Sequence, residues 1–229
     1  MDQIKVNAIL SALEAQGIPQ IIISDPVVIF YLTGAKIQPG ERLLALYLNR
    51  QGGHKLLVND LFRQTRDLGV EICYYNDIQD GVEILSSFAD PNAPIAIDKN
   101  WPARFLLRLQ ELGCGSRYVN SSDIVDGVRR MKTPEEREKM RRASRGNDAV
   151  MAKLVKLLSE DHTELELKEL LLKVYQSEGF QNFSFEPITA FAGNAADPHH
   201  RPDGSRGHYG DGVVLDIGGL MDDYCSDMT

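Results

Sequence analysis

The sequence predicts a mixed α/β layer in its first half, with helices against a sheet. It predicts a helix-led unit ending in strands in its second half. Three observations carry this. Apolar runs of strand length alternate with helically spaced segments as far as residue 119. Two capping-box helix starts follow, at Thr133 and Thr163. The last stretch reads as two short strands about the turn residues Asp222 and Asp223.

Taken in order, Ile4, Ala8, Leu10 and Leu13 mark a helix that stops at Gly17. Ile21 to Ile23 is a buried strand. Residues 43–48 and 55–58 flank Gln51-Gly52-Gly53 as a hairpin. Residues 61–68 are expected to be helical, ended by Gly69, with a strand over 70–75. A helix over 82–88, a strand over 95–97, a helix over 101–112 stopped by Gly113, and a strand at Tyr118-Val119 complete the series. The texture then changes, with a short connection from Ser121 and a domain boundary expected near residue 125, giving units 1–125 and 126–229. Thr133, Pro134 and Glu136 open a long helix. Met140, Ala143, Val150, Leu154 and Leu158 form its apolar stripe. Thr163 and Glu166 open another, with Leu167, Leu170, Leu171 and Val174 inward and Gly179 at its end.

Composition narrows the function. The chain has 229 residues, 43% apolar and 25% charged, enough to bury a core. Its net charge of −8 repels phosphate backbones, so no nucleic-acid partner is expected. The basic residues from Arg129 to Arg142 are interleaved with Glu135, Glu136 and Glu138, as on a solvated helix face. Cys73, Cys114 and Cys225 are odd in number and far apart, against a disulfide framework. No signal-like start, membrane span, Gly-rich phosphate loop or internal repeat is read, so the expectation is a cytoplasmic protein with no membrane partner.

The chemistry lies between Phe191 and Thr229. This segment holds His199, His200 and His208, and after Arg206 it carries five aspartates and no lysine or arginine. Asp216 interrupts the apolar run at Val213 to Leu215, where a charge is costly unless paired or metal-bound. A turn centred between Met221 and Asp222 would set Asp216 directly opposite Asp227. Two opposed carboxylates call for a cation, and hard oxygen ligands suit Mn²⁺, Mg²⁺ or Zn²⁺. The alternatives are that Asp216 caps a turn, or that one carboxylate is protonated. His199 and His200 lie between prolines. As neighbours in an extended segment they point opposite ways, so at most one faces a site. A loop histidine is more often simply exposed. His208, His54 and His162 read as surface residues.

These residues resemble a known family. PITAFAGNAADPHHRPD and GDGVVLDIGGLMDDYCSDMT look like the metal-site region of the pita-bread metallopeptidases, in the Xaa-Pro dipeptidase/aminopeptidase P branch. RRMKTPEEREKMRRAS resembles that branch's linker and first catalytic helix. The first half resembles, less specifically, its creatinase-type N-terminal domain. The implied fold is a creatinase-type α/β domain followed by the first part of an α+β pita-bread catalytic domain. The family binds two divalent metals with two aspartates, a histidine and two glutamates. Asp216 matches the first aspartate and Asp227 the second. His199 matches the histidine that sits by the metals and contacts substrate, and no role carries over to His200. Asp223 stands where the family often has glycine. The implied chemistry is metal-assisted hydrolysis with Mn²⁺ foremost, or Zn²⁺ or Co²⁺, acting on proline-containing peptides. His199 would help stabilise the oxyanion.

The resemblance further implies a homodimer and a C-terminal half, on the same or a separate chain, that brings the remaining histidine and glutamates. Residues 1–229 alone are then expected to be inactive. Two other functions stay open at this point: a creatinase-like carbon–nitrogen hydrolase, and a dimerisation or binding module with relic aspartates.

Overall fold

The computed structural model describes residues 1–159 and 161–229. They form two compact units, Met1–Met131 and Lys132–Thr229.

In the first unit, α1 (Gln3–Glu14) starts where the Asp2 carboxylate accepts the N–H groups of Ile4 and Lys5. It buries Val6, Ile9, Leu10 and Leu13, one face at helical spacing. Then come β1 (Gln20–Ile23) and α2 (Pro26–Thr33). Helix α2 has a clear start, with Asp25 as cap and Pro26 in the first turn. Its interior is apolar all round, so it offered no periodicity to read. Strands β2 (Ala45–Asn49) and β3 (Lys55–Asn59) form the expected hairpin, Leu46 opposite Leu56.

The helix expected over 61–68 is only a 3₁₀ turn, Asp60–Phe62. The Asn59 side chain accepts the Leu61 N–H, and the Gln64 N–H goes to the Tyr74 hydroxyl at 3.0 Å. The Asn59 bond caps the turn, while the Gln64 N–H, which would have continued the helical ladder, is spent on Tyr74. The unit continues with β4 (Glu71–Tyr75), α3 (Gly81–Ser86), β5 (Pro94–Ile97), α4 (Ala103–Glu111), β6 (Arg117–Asn120) and α5 (Ser122–Arg130).

The sheet order is β4-β3-β2-β1-β5-β6, with β1 antiparallel to β2 and parallel to β5. Alternation along β1 divides the core. Ile21 and Ile23 pack with α1, α2 and Val125 of α5, while Ile22 packs with Val82, Leu85 and Leu109 of α3 and α4. Helix α5 therefore belongs to the first core, and the break between units falls after Met131, beyond the expected residue 125.

In the second unit, α6 (Pro134–Leu157) and α7 (Glu164–Ser177) both begin with complete capping boxes, Thr133 with Glu136 and Thr163 with Glu166. Five short strands follow: β7 (Asn182–Phe183), β8 (Ile188–Phe191), β9 (Val213–Asp216), β10 (Gly219–Met221) and β11 (Tyr224–Cys225). Strand β8 pairs with β9, and β10 lies between β7 and β11. Strands β7 and β8 were not foreseen, being too short to show alternation. Val150, Leu154, Leu167, Leu171, Tyr175, Phe180, Phe191, Ile217 and Met221 make the core.

Candidate metal centre

The turn residues fix the geometry of the two aspartates. Asp222 and Asp223 both have positive φ, 49° and 66°. A two-residue hairpin turn needs that backbone at both central positions, and aspartate tolerates it far better than methionine. The turn is therefore centred between Asp222 and Asp223, one position beyond the expected centre. Met221 pairs with Tyr224, Leu220 with Cys225 and Ile217 with Met228.

This register corrects the expectation that Asp216 lies directly opposite Asp227. Thr229 lies opposite Asp216, and its hydroxyl donates to Asp216 Oδ1 at 2.9 Å. Gly218 lies opposite Asp227. The correction is a shift of two residues, and an even shift preserves the face. Asp216 and Asp227 are diagonal neighbours on one face, at a spacing of roughly 7–8 Å between α-carbons. Among the described residues no lysine, arginine or histidine forms an ion pair with either. Asp216 is half-buried and Asp227 exposed, and two carboxylate side chains facing the same way from neighbouring strands offer the hard oxygen ligands that a divalent metal takes.

The opposite face of the hairpin is buried. Ile217, Gly219 and Met221 turn toward the core. A methyl on Gly219 would overlap the rings of Phe180 and Tyr175, so only glycine lets this strand lie so close to α7. Behind it the Tyr175 hydroxyl donates to Asn147 Oδ1, and Asn147 Nδ2 donates to the Ile217 carbonyl at 3.4 Å. Burial holds the Tyr175 hydroxyl well above its usual range, and the nearby charge of Asp227 adds to this. The link ties α6 and α7 to the backbone one residue beyond Asp216.

The histidines sit on the segment between β8 and β9. Asp197, Pro198, His199 and His200 make a four-residue turn, closed by the His200 N–H donating to the Asp197 carbonyl at 3.1 Å. The Asp197 side chain accepts the His199 N–H at 2.9 Å. His199 is exposed, and among the described residues no hydrogen bond or ion pair joins it to Asp216 or Asp227. The structure thus brings the two aspartates to one face, with no direct bond from His199 to either among the described residues.

His200 turns inward instead. Its Nε2 lies 2.6 Å from Glu164 Oε2, at the start of α7. The Glu164 side chain has no exposed surface. Its Oε1 accepts the Phe191 N–H at 2.9 Å and Asn194 Nδ2 at 3.0 Å, and its Oε2 also accepts the Asp203 N–H at 3.0 Å. Burial pushes this carboxyl up, and the bonds from His200, Phe191, Asn194 and Asp203 together outweigh it, holding it below the ordinary carboxylate range. With Glu164 ionised, His200 Nε2 carries the proton and donates.

Glu164, His200 and Asp203 bring ligand atoms within 4.8 Å of one another. Both Glu164 oxygens already accept two hydrogen bonds, however, and Asp203 Oδ1 accepts the Ser205 N–H at 2.7 Å. With the Glu164 oxygens engaged in this way, the cluster reads as a structural knot. Sequence reading missed Glu164 because it lies inside the capping box from Thr163 to Glu166. Nothing in its residue type separates it from the exposed Glu166.

Comparisons with known proteins fit this picture. Residues 5–131 match the creatinase/prolidase N-terminal domain, and residues 138–229 match metallopeptidase family M24. The chain belongs to the creatinase/prolidase N-terminal domain family, and its second unit matches part of an M24 domain of pita-bread fold. An uncharacterized peptidase of Staphylococcus aureus is 26% identical over 98% of this chain and 64% of its own length. The structure of a dipeptidase from Mycobacterium ulcerans aligns with a TM-score of 0.87 at 26% identity, covering 98% of this chain and 62% of that one. A prolidase from Thermococcus sibiricus aligns at 0.90 and 24% identity, over 99% and 64%, which speaks to the fold. The chain spans about 64% of the curated relatives it matches. Among the described residues no helix is long and apolar enough to cross a membrane.

Proposed function

We propose that the whole protein is a metal-dependent Xaa-Pro peptidase, a dipeptidase or aminopeptidase. Asp216 and Asp227 serve as its first two metal ligands. One observation carries this reading: both carboxylates share a hairpin face, with no ion-paired lysine, arginine or histidine among the described residues, inside a segment matching M24. Two such ligands do not complete a dinuclear site. The other histidine and the glutamates come from a C-terminal half, on the same or a separate chain. Two divalent ions, Mn²⁺ first among them, suit carboxylate-rich ligation. They supply Lewis acidity toward a carbonyl oxygen and acidify water. His199 lies by the metals in the assembled site and donates to the charge developing on the scissile carbonyl oxygen. The assembly is a cytoplasmic homodimer.

The test is metal content and peptide hydrolysis of the full-length protein, with Asp216→Asn and Asp227→Asn beside it. Each substitution is expected to remove bound manganese and hydrolysis of an Xaa-Pro dipeptide together. Full manganese content in both variants would overturn the assignment.

A further inference from the structure

We infer that Glu164 is the positioning residue for His199. It locks the turn that presents His199, acting through His200 and without touching substrate. The inference rests on the peptidase reading above.

The starting point is a carboxylate that helix capping does not explain. Thr163 and Glu166 already satisfy the first turn of α7 through their reciprocal bonds of 3.1 and 2.7 Å. A further ionised group, fully buried at the same helix end, is costly unless every lone pair is used. Glu164 uses all of them, and each donor comes from residues 191–203. Asn194 and the Phe191 N–H hold the chain before the turn, while His200 and the Asp203 N–H hold it after. The backbone of α7 adds to this. The Glu164 N–H donates to the Ser205 carbonyl, the Leu165 N–H donates to the Asp203 carbonyl, and the Thr189 hydroxyl donates to the Glu164 carbonyl.

The consequence for His199 is directional. Pro198 occupies the second position of the turn, where its fixed φ suits, and His199 the third. His200 is drawn onto Glu164, with a side chain only 12% exposed. Its neighbour His199 is left at the exposed apex of a turn held on both sides. A histidine that donates to developing charge must be held closely, since a misplacement of about 1 Å can cost about a hundredfold in rate.

The experiment is a double-mutant cycle on the full-length, metal-loaded protein with an Xaa-Pro dipeptide. Glu164→Gln is expected to lower kcat by about ten- to a hundredfold, with KM changed by less than about twofold. Bound metal should be unchanged. The Glu164→Gln/His199→Ala pair is expected to be no worse than His199→Ala alone. His200→Gln, whose amide can still donate to Glu164, is expected to keep most of the activity, and His200→Ala to lose it. Losses that multiply in the double variant, or a Glu164→Gln variant that loses metal, would overturn the inference. If Glu164→Gln does not fold, the same cycle is run with His200→Ala.

Hydrogen exchange separates this inference from the peptidase reading. Glu164→Gln should speed exchange over residues 192–206 and leave β9 and β10 unchanged. If the wild-type protein cleaves no Xaa-Pro peptide, the peptidase reading fails. Exchange then decides alone, and unchanged protection of 192–206 would overturn the anchoring role.

Discussion

The link from Tyr175 to Asn147 to the Ile217 carbonyl makes a quantitative prediction. Both side chains are buried, with Tyr175 fully inaccessible. Tyr175→Phe leaves Asn147 Oδ1 without its donor. Asn147→Leu leaves the Tyr175 hydroxyl without its acceptor. Each orphaned buried group costs about 1–3 kcal/mol. The Ile217 carbonyl is not orphaned by either change, because it also accepts the Met228 N–H at 2.9 Å. Replacing both partners by apolar groups of similar shape is close to neutral. Each single variant is therefore expected to lose about 2 kcal/mol, and the double variant no more than about 2 where the sum is about 4, a coupling of at least about 2 kcal/mol. Native-state hydrogen exchange of α6 and α7 amides is the assay, because the two units need not unfold together. A double variant whose loss equals the sum within about 0.5 kcal/mol would refute the reasoning.

Other expectations follow from the same contacts. Gly219→Ala should cost about 1–3 kcal/mol, seen as a lower Tm, because the added methyl meets two packed rings. Thr163→Ala should cost about 1 kcal/mol by the same measurement, through loss of the α7 cap. Glu164 makes stability pH-dependent. Its folded pKa is depressed, so its contribution is fully present above the unfolded value of about 4.3 and is lost as pH falls through the folded value below that. Acid unfolding of the second unit, followed by circular dichroism, should therefore show a steeper fall below about pH 4 in the wild type than in Glu164→Gln.

Much of this was legible in the sequence where local chemistry is strong. Both capping boxes, at Thr133 and Thr163, appear as read. The hairpin about Gln51-Gly52-Gly53 is present, and its partners pair as an antiparallel ladder. Helix α2 and strands β7 and β8 were not legible. One is apolar on every side and the others are too short for alternation to be seen. The failed helix at 61–68 had the right residues. The Gln64 N–H that would have continued its ladder goes to Tyr74, which lies in the next strand, out of reach of any local pattern. At the site, the residue types Asp216 and Asp227 were visible while their register was not, since it depends on which two residues take left-handed backbone. Glu164 was hidden because its partners lie between 27 and 39 positions away.

The hairpin register also says what kind of change this segment can absorb. Side-chain direction along a strand is a matter of odd and even. While the connection stays a two-residue turn, moving its centre by one position slides the ladder by two residues and keeps Asp227 on the face of Asp216. A register slip of one residue would instead carry it to the side of Ile217 and Met221, against the core. Any two-residue turn in this segment therefore leaves the two carboxylates on one side of the hairpin, and only their offset along it depends on which residues take left-handed backbone.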